Sequence, residues 1–157
     1  MQFTLLIILG FVGLEIFSYI IHRWVFHGFL WLIHESHHIA TKGAFELNDI
    51  FSLGFAVISV LLITFSQNPK LESFAFPIGL GIAIYGIIYF VIHDLFTHRR
   101  FLPFGSENNV LLTIRAAHQK HHQTADKSGI EPYGLFVFNF TKFWKKGVRK
   151  DNKKTMI

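Results

Sequence analysis

The chain has 157 residues, 51% of them apolar and 16% charged, with nineteen Phe, ten His, no Cys and a formal net charge of +5. That length suits one domain, and a chain this apolar, with a mean hydropathy of +0.39, is neither disordered nor an ordinary soluble globule. The lack of cysteine excludes disulfides, Cys-ligated iron–sulfur clusters, a thiolate-ligated haem and a cysteine nucleophile.

Three apolar stretches approach the roughly 17–25 residues that cross a bilayer. The first, 3–21, carries one charge, Glu15. It lacks a basic start and a small-residue cleavage site, so it reads as a retained span and not a signal peptide. The aromatic run from Trp24 to Ile33 is too short to cross and reads as interfacial. The second stretch, 50–66, and the third, 74–92, are uncharged. The third contains Pro77, Gly79, Gly81 and Gly86, which membrane helices tolerate. These glycines have the wrong spacing for a dinucleotide loop. The connection 67–73 holds one Lys and one Glu, and every other Lys and Arg follows the first or third stretch. The positive-inside rule makes that basic side cytoplasmic. The tail, 133–157, mixes Phe136, Phe138, Phe140, Phe143 and Trp144 with Lys142, Lys145, Lys146, Arg149 and Lys150. It is either a headgroup-boundary segment or a solubilising, orienting tail. No Pro- or Ser-rich linker divides the chain, so one domain is expected.

All ten histidines fall in four clusters: His22 and His27; His34, His37 and His38; His93 and His98; His118, His121 and His122. Each half of the chain thus offers HxxxxH followed by HxxHH. On a helix, residues i, i+3 and i+4 share a face, so each triplet is expected to aim at a common point. Residues i and i+5 are roughly 140° apart; such a pair must embrace a site from two sides or sit where the helix unwinds. Ten imidazoles exceed the needs of one metal and suit two. Three spans bring all four clusters to the same side. A lone interfacial His would mean little, but four clusters that absorb every histidine make a metal site the default reading. The expected fold is an all-α integral membrane protein of about three transmembrane helices. A cytoplasmic, histidine-rich helical cap would hold a dimetal site. Imidazole alone does not choose among zinc, copper, iron and nickel.

These clusters beside apolar spans resemble the integral-membrane fatty acid hydroxylases and desaturases, and more closely the bacterial β-carotene hydroxylases. The likeness rests on Glu15, HRWVFHGFLW (22–31), HESHH (34–38), KGAFELND (42–49), YGIIYFVIHD (85–94), HRR (98–100) and AHQKHH (117–122). The resemblance implies O2-dependent hydroxylation of the β-ionone ring at carbon 3, from β-carotene through β-cryptoxanthin to zeaxanthin. It implies two iron ions held by the histidines, in a bacterial cytoplasmic membrane, with electrons from a ferredoxin and its reductase. Breaking an unactivated C–H bond needs a redox metal; zinc is redox-inert and would enter such a site only as a substitute. The substrate is a carotenoid dissolved in lipid, and no nucleic-acid partner is expected. The oligomeric state stays open.

Metal-bound histidines usually donate their second ring N–H to a carboxylate or carbonyl. Asp94, Asp49 and Glu35 are the candidates for that role, and Asn48 for touching the reacting oxygen. Tyr85 and Tyr89, one turn apart below His93, are candidates for the wall of the substrate slot, or else packing residues or interfacial anchors. Glu15 lies two turns below His22 on the same face, either bonded to a histidine or satisfied between helices. Competing readings are a fatty acid or sterol hydroxylase of the same group and a metal transporter. Transport calls for ligands near the bilayer midplane, whereas these histidines sit at one edge.

Overall fold

The computed structural model describes residues 1–39, 43, 45–66 and 72–144, and all regular structure among them is helical. Helix α1 spans Gln2–Ile21 and runs straight into a π-helical turn, His22–Phe26. Helix α2 is Trp31–His38 and α3 is Asp49–Phe65. Helix α4, Glu72–Tyr89, continues as a second π-helix, Phe90–Thr97. Helix α5 is Asn109–His121, its first turn capped by the Asn108 side chain, which accepts from the Val110 and Leu111 amides. Most of the connection expected at 67–73 lies outside the described residues, as do Lys42 and Ala44 of KGAFELND and 145–157 of the tail.

Two helices are long and apolar enough to cross a membrane, Gln2–Phe26 and Phe74–Thr97. Only 17% and 28% of their most apolar stretches are buried, whereas a core helix of a soluble protein would be mostly buried. Leu5, Leu9, Val12 and Ile16 of α1, Ile87 of α4 and Phe90 at the start of the second π-helix point outward. Helices apolar all round need apolar surroundings. The expected third span is a shorter apolar helix: the 17 residues of α3 rise roughly 26 Å, short of a hydrocarbon core of about 30 Å.

Helix α4 lies between α1 and α3 and packs closely on both, while α1 and α3 stand further apart, with the Phe17 ring meeting that of Phe55 at 6.1 Å. Its glycines explain this. A Cβ on Gly81 would stand 2.2 Å from the Ile7 carbonyl oxygen, and one on Gly10 2.4 Å from that of Ile78. Backbone meets backbone there, as at membrane-type helix crossings. On the other side, Ser59 donates to the Gly79 carbonyl at 2.8 Å. The run GLGIAIYG is thus a packing device with one glycine toward each neighbour. At the histidine end, α1 and α4 finish and α3 begins, and α2 and α5 close over them. Residues 133–144 fold back on the bundle and bury Tyr133, Leu135 and Phe143. The part of the tail that is described is therefore packed structure.

Candidate metal centre

The histidine pairs sit where the helices change register. A π-helix closes its hydrogen bond five residues on, which brings i and i+5 to one face. The His27 amide donates to the His22 carbonyl at 3.0 Å, and the His98 amide to that of His93 at 2.8 Å. Each HxxxxH is therefore one π turn, and its two rings lie close, tilted to one another: 5.1 Å between centroids for His22 and His27, 4.5 Å for His93 and His98.

The triplets behave differently from the expectation of a common point. His22, His27, His34, His38 and His121 form one set, and His37, His93, His98 and His118 another, with the donor atoms within each set all inside 4.8 Å of one another. The tenth ring, His122, lies 4.6, 4.7 and 4.5 Å from His37, His98 and His118, and so sits with the second set. Each HxxHH is split. Residues i and i+4 serve the set of their own half, and i+3 crosses to the other. Helix geometry accounts for this: i+4 lies about 40° to one side of i and i+3 about 60° to the other. Helices α2 and α5 thus stand between two sites and feed both. The sites abut, with His38 stacked on His122 at 4.4 Å.

Hydrogen bonding fixes the ring tautomers. His22 Nδ1 donates to the Tyr133 carbonyl at 2.6 Å, His121 Nδ1 to that of Ile130 at 2.6 Å, His38 Nδ1 to that of Thr124 at 3.0 Å and His27 Nδ1, more weakly, to that of Lys127 at 3.4 Å. A carbonyl only accepts, so these rings carry their proton on Nδ1, and a neutral ring has no second one. His34 Nδ1 meets Asn48 Oδ1 at 2.7 Å and His37 Nδ1 meets Glu46 Oε2 at 2.9 Å. The Nε2 lone pairs are left facing inward. They crowd: 3.0 Å between His22 and His34, 3.2 Å between His27 and His121, 2.8 Å between His98 and His118. Bare lone pairs at such distances repel, and a cation among them turns repulsion into ligation. Both ring nitrogens of His93 and Nε2 of His122 are buried and find no hydrogen-bond partner among the described residues. Donors about 2.1 Å from one ion lie up to roughly 4.2 Å apart, close to the observed spread. The donor set fits two borderline metal ions.

Burial favours the neutral form of six of these rings. It lowers His27 to about 4, aided by His38, and His34 and His121 to about 3, with neighbouring imidazoles adding to the effect. Burial first, and then crowding by other rings, also pushes His37, His118 and His122 down. Ligation therefore needs little proton release at neutral pH. The metal-free protein carries the opposite cost. Its folded state binds fewer protons than the unfolded chain below about pH 6.5, so its stability is flat above that value and falls from pH 6.5 toward 4. Thermal unfolding of metal-free protein in detergent across that range measures this; a midpoint that stays level down to pH 4.5 would contradict it.

The polar residues expected around the histidines are redistributed. Asn48 bonds His34. Asp49 and Asp94 instead grip Arg100, at 2.6 and 2.7 Å. Asp94 Oδ1 is 3.5 Å from His93 Nδ1, beyond a hydrogen bond. Arg100 also stands 3.6 Å from Glu46, the residue that holds His37. Glu35 makes no hydrogen bond to a histidine among the described residues. Glu46 and the carbonyls of 124–133 were not foreseen. Tyr85 donates to Glu15 at 2.6 Å, and the Tyr89 ring stacks on His93 at 4.3 Å.

A partly open, mainly apolar cavity of about 500 Å³ lies between α1 and α3, floored by α4. Leu14, Phe55, Ser59, Ile82, Tyr85 and Gly86 line its depth, and its inner end reaches His22, His34, His37, His93 and His118. A second cavity, about 610 Å³, reaches His37, His98 and His122 through Glu46, Arg99, Arg100 and Gln119. One site is thus approached by an apolar route and by a polar one.

A profile of the fatty acid hydroxylase family matches residues 7–146. The β-carotene hydroxylase of Pseudescherichia vulneris is 35% identical over 137 residues, 84% of this chain and 74% of that one. The β-carotene hydroxylase of Pantoea ananas is 34% identical, covering 84% and 75%. β-Carotene hydroxylase 1, chloroplastic, of Capsicum annuum is 42% identical over 130 residues, 80% of this chain and 40% of its own length. The chain therefore spans about two fifths of its plant relatives. No solved structure matches it.

Proposed function

Since the chain belongs to the fatty acid hydroxylase family, we propose that it is a membrane-embedded β-carotene 3-hydroxylase working with two iron ions. The set His22, His27, His34, His38 and His121 would hold one ion, and His37, His93, His98, His118 and His122 the other. The irons supply what side chains lack, the power to use O2 against an unactivated C–H bond. The reaction balances as C–H plus O2, two electrons and two protons giving C–OH and water. The electrons come from a ferredoxin and its reductase.

The chain's own part is placement. The observation that carries the reading is the apolar cavity that ends on inward-facing Nε2 atoms. A carotenoid would enter from the lipid between α1 and α3, its polyene along Leu14, Phe55 and Ile82. Its terminal ring would stop beside His22, His34 and His93, with Tyr89 packed behind His93. Tyr85 is engaged by Glu15 and acts as wall. Carbonyls, Asn48 and Glu46 hold the imidazoles to one tautomer and angle. The polar cavity beside Arg99 and Arg100 suits water, protons and an acidic electron carrier. The histidine end would face the cytoplasm, following the distribution of basic residues.

Membranes containing the chain, supplied with β-carotene, O2, ferredoxin and its reductase, should yield β-cryptoxanthin and then zeaxanthin. Hydroxylated fatty acid or sterol in place of these products would overturn the substrate. Metal uptake without any oxygenated product would overturn the enzymatic reading.

A further inference from the structure

The two histidine sets are oriented by different chemistry. In the second set, His37 leans on Glu46, itself part of the cluster with Arg100, Asp49 and Asp94. In the first set, four of five imidazoles lean on backbone carbonyls, and all four belong to one segment: Thr124, Lys127, Ile130 and Tyr133. Ten consecutive residues therefore serve as a template for one site only.

A template of carbonyls is only as firm as its anchors. One end follows directly from α5. Its middle is tied internally, by Ser128 bonds to Asp126 and by the Tyr133 hydroxyl on the Ser128 carbonyl at 3.2 Å. The far end is held by a side chain well away from the metals. Glu15 Oε1 accepts from the Phe136 and Val137 amides, both at 2.8 Å, and Oε2 accepts from Tyr85 at 2.6 Å. Glu15 is 4% exposed. Gly134 lets the segment come this close, since a Cβ there would stand 2.7 Å from Glu15 Oε1. A buried carboxylate side chain is costly unless its oxygens are satisfied, and these three donors satisfy it.

We propose that Glu15 is a positioning residue for the first metal site alone. Among the described residues it hydrogen-bonds no histidine. It clasps the strap 124–137, and the strap sets the tautomer and angle of His22, His27, His38 and His121. The second site, where Glu46 holds His37 and no strap carbonyl holds a ring among the described residues, is independent of the clasp. This rests on the two-metal reading above.

The test is metal content. Purified, metal-free protein is loaded anaerobically with Fe(II) and assayed for ions per chain and for the affinity of each step. The unchanged chain should take two. Glu15→Ala should weaken one step by about 10–100-fold, the usual cost of losing an outer partner, and leave the other unchanged. Glu15→Gln should restore it, because the amide oxygen still accepts from Phe136 and Val137 while its NH2 donates to the Tyr85 oxygen. If Glu15→Ala fails to fold, Gly134→Ala gives the same reading by pushing the strap off Glu15 with every ligand intact. Two undiminished steps in Glu15→Ala, or equal weakening of both in folded Gly134→Ala, would overturn the clasp. Fewer than two ions in the unchanged chain would instead overturn the two-metal reading.

Discussion

His121→Ala and His118→Ala should each abolish the proposed hydroxylation, and should do so by emptying different sites. The two residues are neighbours on α5, yet His121 faces the set of the first half and His118 the set of the second. Each variant should keep about one iron per chain, and the double variant should keep almost none. Activity should fall more than about 100-fold in either, since losing an outer partner already costs 10–100-fold. Zeaxanthin yield and iron per chain, measured on the same preparation, check this. Loss of both ions from either single variant would mean that the sites are not separate. Full turnover in either would remove that residue from the ligands.

Gly86→Phe should block the substrate and spare the metals. Gly86 lines the apolar cavity on the α4 side, and a Cβ added there meets nothing within 4 Å. The helix therefore accepts the side chain without strain, and the phenyl ring fills the route to His93. Displacement of a bound reactant by about 1 Å costs on the order of 100-fold, and exclusion of the terminal ring should cost at least that. Iron content should stay at the level of the unchanged chain. Normal β-carotene turnover in Gly86→Phe would mean that the substrate reaches the metals by another route.

What could be read in the sequence was what side-chain type encodes. Four histidine clusters, two long apolar helices and a shorter one are legible because hydropathy and imidazole are properties of single residues and their spacing. The two options for HxxxxH included an unwinding helix, and the π turns at His22 and His93 realise it. The sharing of each HxxHH between two sites was not legible. The spacing fixes the angles between rings, but only the packing of α2 and α5 puts a set of imidazoles on each side of them. The orienting partners were harder still. Backbone carbonyls at Thr124, Ile130 and Tyr133 carry no residue-type signal. Asp94 follows His93 in sequence, but adjacent residues on a helix diverge, and Asp94 turns to Arg100. Glu46 is a single acid in a loop, with no periodicity to mark it.

The exchange of His37 and His121 between the two halves also sets an order of assembly. A nascent chain that has delivered only its first half offers His22, His27, His34 and His38 to one ion and His37 alone to the other. On the two-metal reading, the second set would stay at a single imidazole until the later helices are made, and the first would lack its fifth ring, His121, until α5 is complete. The carbonyl that orients His22 would come later still, with Tyr133.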